Sequence, residues 1–318
     1  MLYTIRSGMG LSCIVLLGLL GLQCHQVTLP VIAGGSAVSA AVEVAPAVEP
    51  GGGPSTTTAA TVSMSMSSSR TGEIAPQQYQ PGDIAHLAQN DPQAFVRYCR
   101  DEYVRGGVRD YTCSFTKQEF INKRLGKIEE VAVRFREEPF SVYMNWVHNA
   151  SAAMQALYVK NAWVDSKGRQ LAWFKPSGAL IRLFVPKIKQ PINGVGAKKG
   201  SRRTLDQFGF RGTLDLIIKY NERGRRNNDL ELHYVGESSI GGRMTWVFER
   251  FLPFTGQDEP YPDALLRYHI DQEWLVPTAC YSYADSDGEQ LLGSYVITDV
   301  DFNVGLNDND FDPRRLGF

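Results

Sequence analysis

Histidine and cysteine, which often supply catalytic bases, nucleophiles and metal ligands, are scarce in this chain. Its 318 residues include five of each, and no cysteine has the Cys-x-x-Cys or Cys/His spacing of a zinc site. No Gly-x-Ser-x-Gly string marks a hydrolase nucleophile. The adjacent pairs Glu129-Glu130 and Glu137-Glu138 would point to opposite faces of a strand, which makes them poor acid–base pairs. We therefore expect neither enzymatic activity, nor a metal, nor another cofactor.

An excess of charge of either sign is also missing. The formal net charge is −1, which argues against nucleic-acid binding through bulk charge. Charge is uneven along the chain, however, because residues 187–203 contain six basic side chains and no acid: Lys187, Lys189, Lys198, Lys199, Arg202 and Arg203. This cluster is either solvated loop surface or a basic rim that meets anionic lipid head groups.

Long apolar runs are absent outside the first part of the chain. Residues 11–22, LSCIVLLGLLGL, have the length of the apolar region of a signal peptide and are short for a membrane-spanning helix. We predict that residues 1–40 are a signal peptide or a membrane anchor. Residues 41–82 are rich in Ala, Gly, Pro, Ser and Thr, the composition of a disordered linker. Residues 83–318 then form a single folded domain.

The most informative pattern in that domain lies in residues 131–146, VAVRFREEPFSVYMNW. Apolar and more polar side chains alternate on both sides of the short break at residues 137–139. Alternation with a period of two is typical of strands with one apolar face, and two such runs around a polar break predict a hairpin. No catalytic group stands among the large side chains of the apolar face.

Two helices are expected among further strands. Asp91-Pro92 has the form of a helix N-cap followed by proline, with Phe95 and Cys99 on one stripe. Residues 205–220 change to a helical period through Leu214, Ile217 and Ile218, and residues 223–228 follow as a polar loop. Residues 194–203 are also expected to be a loop. Strands are predicted over 111–115, 156–159, 163–174, 230–235, 244–251, 265–271, 278–284 and 291–302.

This order predicts an α+β fold. Hairpins and short connections imply antiparallel pairing, so we expect a curved antiparallel sheet, an open half-barrel, with an N-terminal helix and a mid-chain helix against its concave face. On alternation, His233 and His269 are expected on the solvent face. Of the body cysteines Cys99, Cys113 and Cys280, either two form one disulfide or all three are buried thiols.

Two sets of motifs carry a resemblance to known families. The strings DYTC (residues 110–113) and PFSVY (139–143), followed by Tyr158-Val159 and Phe208-Gly209, resemble a family of exported planctomycete proteins that is known only as a domain of unknown function. The end of the chain, with HID (269–271), LVP (275–277) and ITDVDFN (297–303), is more distantly similar to lipoprotein carriers and sensors of the LolA/LolB/RseB type. That resemblance implies a half-barrel with an apolar hollow, in a protein that is periplasmic or anchored facing the periplasm.

Three functions follow as hypotheses. The first is an exported, non-enzymatic protein that binds a lipid, an acyl chain or a lipoprotein in the hollow. Its site residues would be Val133, Phe135, Phe140, Val142, Met144, Trp146, Leu214, Ile217 and Ile218. The second is a structural or protein-interaction module of the envelope whose core is filled by its own helices. The third is an envelope hydrolase, which would need His148, His233 or His269 beside a nucleophile in an open cleft.

Overall fold

The computed structural model describes residues 81–256 and 260–318. The expected signal peptide or anchor lies outside the described residues, as does the expected linker except for Pro81 and Gly82, which belong to the first helix. The described helices are α1 (Pro81–Asn90), α2 (Pro92–Arg105), α3 (Ala179–Phe184), α4 (Val195–Gly200) and α5 (Phe210–Asn227). None of them is both long and apolar enough to cross a membrane.

The strands form one antiparallel sheet. They are β1 (Asp110–Ile121), β2 (Arg124–Leu125), β3 (Glu129–Arg136), β4 (Ser141–His148), β5 (Ala153–Val159), β6 (Leu171–Pro176), β7 (Ile188–Pro191), β8 (Glu231–Ile240), β9 (Arg243–Phe251), β10 (Leu265–Asp271), β11 (Pro277–Tyr283) and β12 (Leu291–Phe302). Their order is β7-β6-β5-β4-β3-β1-β12-β11-β10-β9-β8, with β2 paired to β1. The sheet is therefore open, as expected, with β7 and β8 at its edges.

The predicted hairpin is confirmed as β3 and β4. Val131 is paired with Trp146, Val133 with Met144 and Phe135 with Val142. Cross-strand partners share a face, so the large side chains of the two runs form one apolar surface.

The helices α2 and α5 cover this surface. On α2, the Asp91 side chain accepts a hydrogen bond from the Ala94 amide at 2.9 Å, which caps the helix as its sequence predicts. Phe95 stacks on Phe248 of β9 with ring centroids 5.4 Å apart, while Phe210 of α5 lies 4.9 Å from Tyr111 of β1. Both halves of the sheet thus contribute to a single buried cluster, because the sheet curves around the two helices.

The opposite face is covered in part by the end of the chain. Tyr143 and Leu157 form a smaller buried cluster with Phe311 and Phe318. The Lys175 ammonium donates to the Leu316 carbonyl at 3.1 Å and lies 5.1 Å from the centre of the Phe318 ring.

Several local expectations were wrong. Residues 195–200 form a helix instead of a loop, and α5 continues through the expected polar loop to Asn227. The His269 side chain is buried, although it faces away from Tyr268 and Ile270, because neighbouring strands of the sheet cover it. Cys99, Cys113 and Cys280 are free thiols, so the alternative of one disulfide is wrong; Cys99 and Cys113 are buried as the other alternative expects, whereas Cys280 is half-buried.

Candidate functional site

A cavity of about 350 Å³ lies between the concave face of the sheet and the segment that runs from α4 into α5. This volume falls in the range of pockets that bind small molecules, roughly 300–1,000 Å³. Most of its wall is apolar. The large apolar side chains in the wall are Phe115, Met144, Trp146, Phe174, Ile188, Ile192, Leu205, Phe208, Leu216, Ile217, Leu266 and Ile297.

Gly209 positions one side of the cavity. Its φ is +108°, a conformation that L side chains rarely adopt, and a Cβ there would come within 2.9 Å of Phe135 Cζ. This turn directs Phe208 to the wall, where its ring lies 5.2 Å from that of Phe115, and directs Phe210 into the core. The sequence Phe-Gly-Phe therefore places one aromatic side chain, Phe208, at the cavity and the other, Phe210, in the core.

A cluster of three buried charged side chains lies at the wall, and two of them, Lys117 and Glu129, line the cavity. The Lys117 ammonium lies 2.9 Å from a Glu119 carboxylate oxygen and 3.4 Å from Glu129. Glu119 also accepts hydrogen bonds from the Tyr295 hydroxyl at 2.8 Å and the Arg202 amide at 3.0 Å. Burial opposes ionisation of Glu119, but Lys117 and these donors outweigh it and hold the pKa of the carboxyl below its usual range. Lys117 is therefore fully paired within the protein, in a cluster that has one more carboxyl group than ammonium groups.

Arg250 in the cavity wall belongs to a second buried pair. Its guanidinium donates to Asp263 at 2.7 Å, and the Ser282 hydroxyl donates to the other Asp263 oxygen at 2.6 Å. The Asn221 side chain of α5 lies 3.4 Å from the same guanidinium. This pair ties β9 to the loop before β10 beneath the mid-chain helix.

Arg203 is placed differently. It lines the cavity, and within the described residues its guanidinium has no hydrogen-bond or ion-pair partner. Burial opposes its charge, but Tyr295 and Asp263 outweigh burial and hold the pKa of Arg203 above its usual value. The side chain is therefore a half-buried, charged group beside apolar walls.

The residues predicted to form the site fall into three groups. Met144, Trp146 and Ile217 line the cavity. Val133, Phe135, Val142 and Leu214 are buried in the core, where Ile218 packs half-buried against them. Phe140 lines a separate, more polar recess with Tyr158 and Lys160.

Sequence reasoning missed the part of the wall between β6 and α5, which includes Phe174, Ile188, Leu205 and Phe208. These residues lie in short elements and turns without a strand or helix period. A remaining signal was the concentration of large apolar residues in a segment otherwise rich in Gly, Lys and Pro.

The predicted basic cluster does not form one surface. Lys187 and Lys189 are exposed, with ammonium groups 5.6 and 4.7 Å from the centre of the Trp173 ring. Arg202 donates to the Pro262 carbonyl at 3.1 Å, and Arg203 lines the cavity. The side chains of Lys198 and Lys199 lie outside the described part of the chain.

Beside Lys187, α3 exposes large apolar side chains. Leu180 and Leu183 are 76% exposed and Phe184 is 86% exposed. The residues that flank α3, Pro176 and Ile188, both line the cavity. The exposed helix therefore stands next to the cavity wall.

The histidines do not form a catalytic arrangement with a nucleophile among the described residues. His269 Nδ1 lies 3.2 Å from the Thr245 hydroxyl, and burial lowers the pKa of His269 to about 4. His233 is exposed, 3.9 Å from Glu231. In residues 81–256 and 260–318 there is no group of three or more His, Cys, Asp or Glu side chains that could hold a metal ion.

Solved structures with a related arrangement come from several bacteria. The MucA/MucB complex of Pseudomonas aeruginosa contains a chain that shares 13% identity at a TM-score of 0.38, and this chain spans 60% of its length, with 70% of this chain covered. The lipoprotein LppX of Mycobacterium tuberculosis shares 11% identity at a TM-score of 0.32, covering 69% of this chain and 99% of LppX. A LolA superfamily protein from Nitrosomonas europaea shares 10% identity at a TM-score of 0.27, with 69% of this chain and 96% of that protein covered. With TM-scores below 0.5, these likenesses say nothing about what this chain binds.

No curated protein matches this chain. One protein family matches residues 108–316, a region that begins just before β1 and includes every strand of the sheet. The family is described as "protein of unknown function (DUF1571)", in agreement with the resemblance carried by the DYTC and PFSVY strings. The match covers more than half of the chain, and the chain therefore belongs to the DUF1571 family.

Proposed function

We propose that this chain is an exported, non-enzymatic envelope protein that binds a lipid, an acyl chain or the acyl part of a lipoprotein in its cavity. The observation that carries the proposal is the largely apolar space of about 350 Å³ that the sheet, α5 and the segment before α5 line. An interior filled by the protein's own helices would favour the rival structural module. In this structure, by contrast, Met144, Trp146 and Ile217 line a cavity that the helices do not fill.

The chemistry of the wall favours an apolar guest. Burial of apolar surface contributes about 25 cal/mol per Å², so a chain enclosed by these side chains gains affinity from most of its length. The cluster of Lys117, Glu119 and Glu129 adds polarity at one place, where the ammonium of Lys117 is held between the two carboxyl groups.

The test is native mass spectrometry of the purified full chain, with displacement of a fluorescent fatty acid as a second readout. We expect co-purified lipid or measurable displacement. Ala197→Trp places an indole at the cavity wall, so this variant should lose about tenfold or more in affinity, since several buried methylenes at about 0.8 kcal/mol each are excluded. The matched control is Ala162→Trp, at an exposed position. Absence of lipid and of displacement in the parent protein would refute the proposal.

We propose in addition that α3 contacts an anionic membrane surface. Leu180, Leu183 and Phe184 form an exposed apolar patch, and the chain has no acidic residue from 166 to 205. Apolar side chains flanked by lysines insert at the boundary of head groups and acyl chains, aided by attraction to anionic lipids. A bilayer at α3 would lie beside the cavity wall formed by Pro176 and Ile188.

Vesicle co-sedimentation tests this contact, with phosphatidylcholine vesicles that contain or lack phosphatidylglycerol. We expect binding to the anionic vesicles that weakens with salt and is lost when Leu183 and Phe184 are both replaced by Ser. Val147→Ser is the control, because Val147 is an exposed apolar residue on β4. Equal binding of the double variant would remove α3 from the contact.

A further inference from the structure

We infer that the cavity selects a single-chain amphiphile with an oxyanion head group, and that Arg203 binds the head. The inference rests on the proposed function and adds to it the chemical class of the ligand. It depends on the polar atoms of the wall, whereas the proposed function depends on the apolar ones.

The size of the cavity favours one short chain. A group the size of a water molecule occupies about 30 Å³. The cavity, with a volume of about 350 Å³, therefore holds about a dozen such groups. A saturated chain of that length with a compact head fills this volume. A ligand with two long chains would leave most of its apolar surface outside.

Charge pairing singles out Arg203 among the cations of the wall. The described wall contains three cationic side chains, Lys117, Arg203 and Arg250. Lys117 is held between Glu119 and Glu129, and Arg250 is paired with Asp263. Of these three, Arg203 alone has no carboxylate in ion-pair contact among the described residues, and Asp263, which is paired with Arg250, acts on it only at longer range. Because a half-buried charge has lost part of its hydration, a ligand that brings the opposite charge to Arg203 gains stabilisation there.

Two further polar atoms of the wall have no partner in the part of the chain that the structure describes. They are the hydroxyl of Thr278, a residue that is 3% exposed, and Nε of Arg250, which is 1% exposed. Both residues line the cavity. Water can hydrogen-bond to such atoms, but it cannot neutralise the charge of Arg203. An oxyanion can do both, because it accepts several hydrogen bonds and carries the complementary charge.

The experiment compares dodecanoate, dodecanol and dodecyl phosphate as ligands of the full chain by isothermal titration calorimetry. The three probes share a chain of the expected length and differ in the head. We expect dodecanoate to bind about ten- to a hundredfold more tightly than dodecanol, the factor typical of a hydrogen bond to a charged group. Tighter binding of dodecyl phosphate than of dodecanoate also supports an oxyanion site and identifies a phosphate monoester as the preferred head.

Arg203→Gln should abolish this preference by weakening dodecanoate while leaving dodecanol unchanged. The matched control is Arg202→Gln, because the neighbouring guanidinium donates to the Pro262 carbonyl and is not part of the cavity wall. If Arg203→Gln does not fold, Arg203→Lys should keep part of the preference, and Thr278→Val should lower dodecanoate affinity about threefold.

The outcomes separate the two levels of the proposal. Equal affinity of the parent protein for dodecanoate and dodecanol overturns the head-group inference and leaves the acyl-binding function standing. A retained preference for dodecanoate in Arg203→Gln overturns the role of Arg203. Binding of none of the three probes overturns the head-group inference together with the proposed function.

Discussion

At the residue scale, the interior contains polar groups that a period-two pattern cannot distinguish from surface ones. Arg250 and Asp263 are almost fully buried, yet their letters in the sequence look like ordinary surface charges. Each is tolerated because the other supplies the opposite charge, and Ser282 supplies a further hydrogen bond. Their burial depends on which strands become neighbours, information that no local window of sequence contains.

Replacing Asp263 by Ala should therefore destabilise the fold strongly. The change leaves the Arg250 guanidinium buried without its partner, a loss that typically costs about 3–5 kcal/mol. The surface pair Arg314–Asp312, with a similar distance of 2.9 Å, provides the control, and Arg314→Ala should leave the unfolding midpoint nearly unchanged because surface ion pairs contribute little. Urea unfolding monitored by fluorescence measures both changes. Similar losses in the two variants would contradict the argument.

Buried His269 should make stability depend on pH. Burial lowers its folded-state pKa to about 4, below the ordinary value near 6.5 of the unfolded chain. Between these values the unfolded state binds the extra proton, so the contribution of His269 is complete above about pH 6.5 and is lost as pH falls toward 4. We expect a loss of about 1 kcal/mol from pH 7 to pH 5 after partial solvent screening. In His269→Gln the unfolding midpoint should lose this part of its pH dependence, and an unchanged profile would assign it to other groups.

At the scale of elements, regular patterns were predicted well and irregular ones poorly. The hairpin β3–β4, the capped helix α2 and the five C-terminal strands followed from alternation, capping and turn residues. The strands β2 and β7 have only two and four residues, too few to show a period. Nothing in the local sequence showed that Arg223–Asn227 continues α5, because a polar run at a helix end resembles a loop.

Gly224 shows why this last part of α5 can lie close to Leu252 and Leu230 at the ends of β9 and β8. A Cβ at this position would lie 2.6 Å from Leu252 Cδ2 and 3.1 Å from Leu230 Cβ. Gly224→Ala gains about 1 kcal/mol of helix propensity but should be destabilising overall by about 1 kcal/mol, because overpacking typically costs 1–3 kcal/mol. Gly82→Ala in α1, where nothing lies within 4 Å, should be neutral or slightly stabilising. The midpoints of urea unfolding of the two variants measure both effects. A Gly224→Ala variant more stable than the parent protein would contradict the prediction and show that Leu252 can move away from the new methyl group.

At the scale of the whole molecule, the cavity is a product of the complete sheet. Met144 comes from β4, Ile297 from β12 and Ile217 from α5, so both halves of the sheet and the mid-chain helix contribute walls. The hairpin that dominates the sequence supplies Met144 and Trp146 to this space and gives its remaining large side chains to the core. A half-barrel could be predicted from the sequence. Which of its apolar residues line the cavity depends on how far α5 and the segment before it extend into the half-barrel, and local sequence patterns do not contain that information.

A ligand that fills this shared space should stabilise the molecule as one unit. Dodecanoate at a hundred times its dissociation constant would add about 2.7 kcal/mol, which corresponds to a rise in Tm of roughly 5–10 °C for a domain of this size. Since the walls come from both halves, thermal unfolding should remain a single transition that moves as a whole. At the same dodecanoate concentration Ala197→Trp, which binds about tenfold or more weakly, should gain no more than about half of this rise in Tm. Calorimetry that showed two transitions, only one of them shifted, would mean that the ligand occupies one half of the sheet and leaves the other independent.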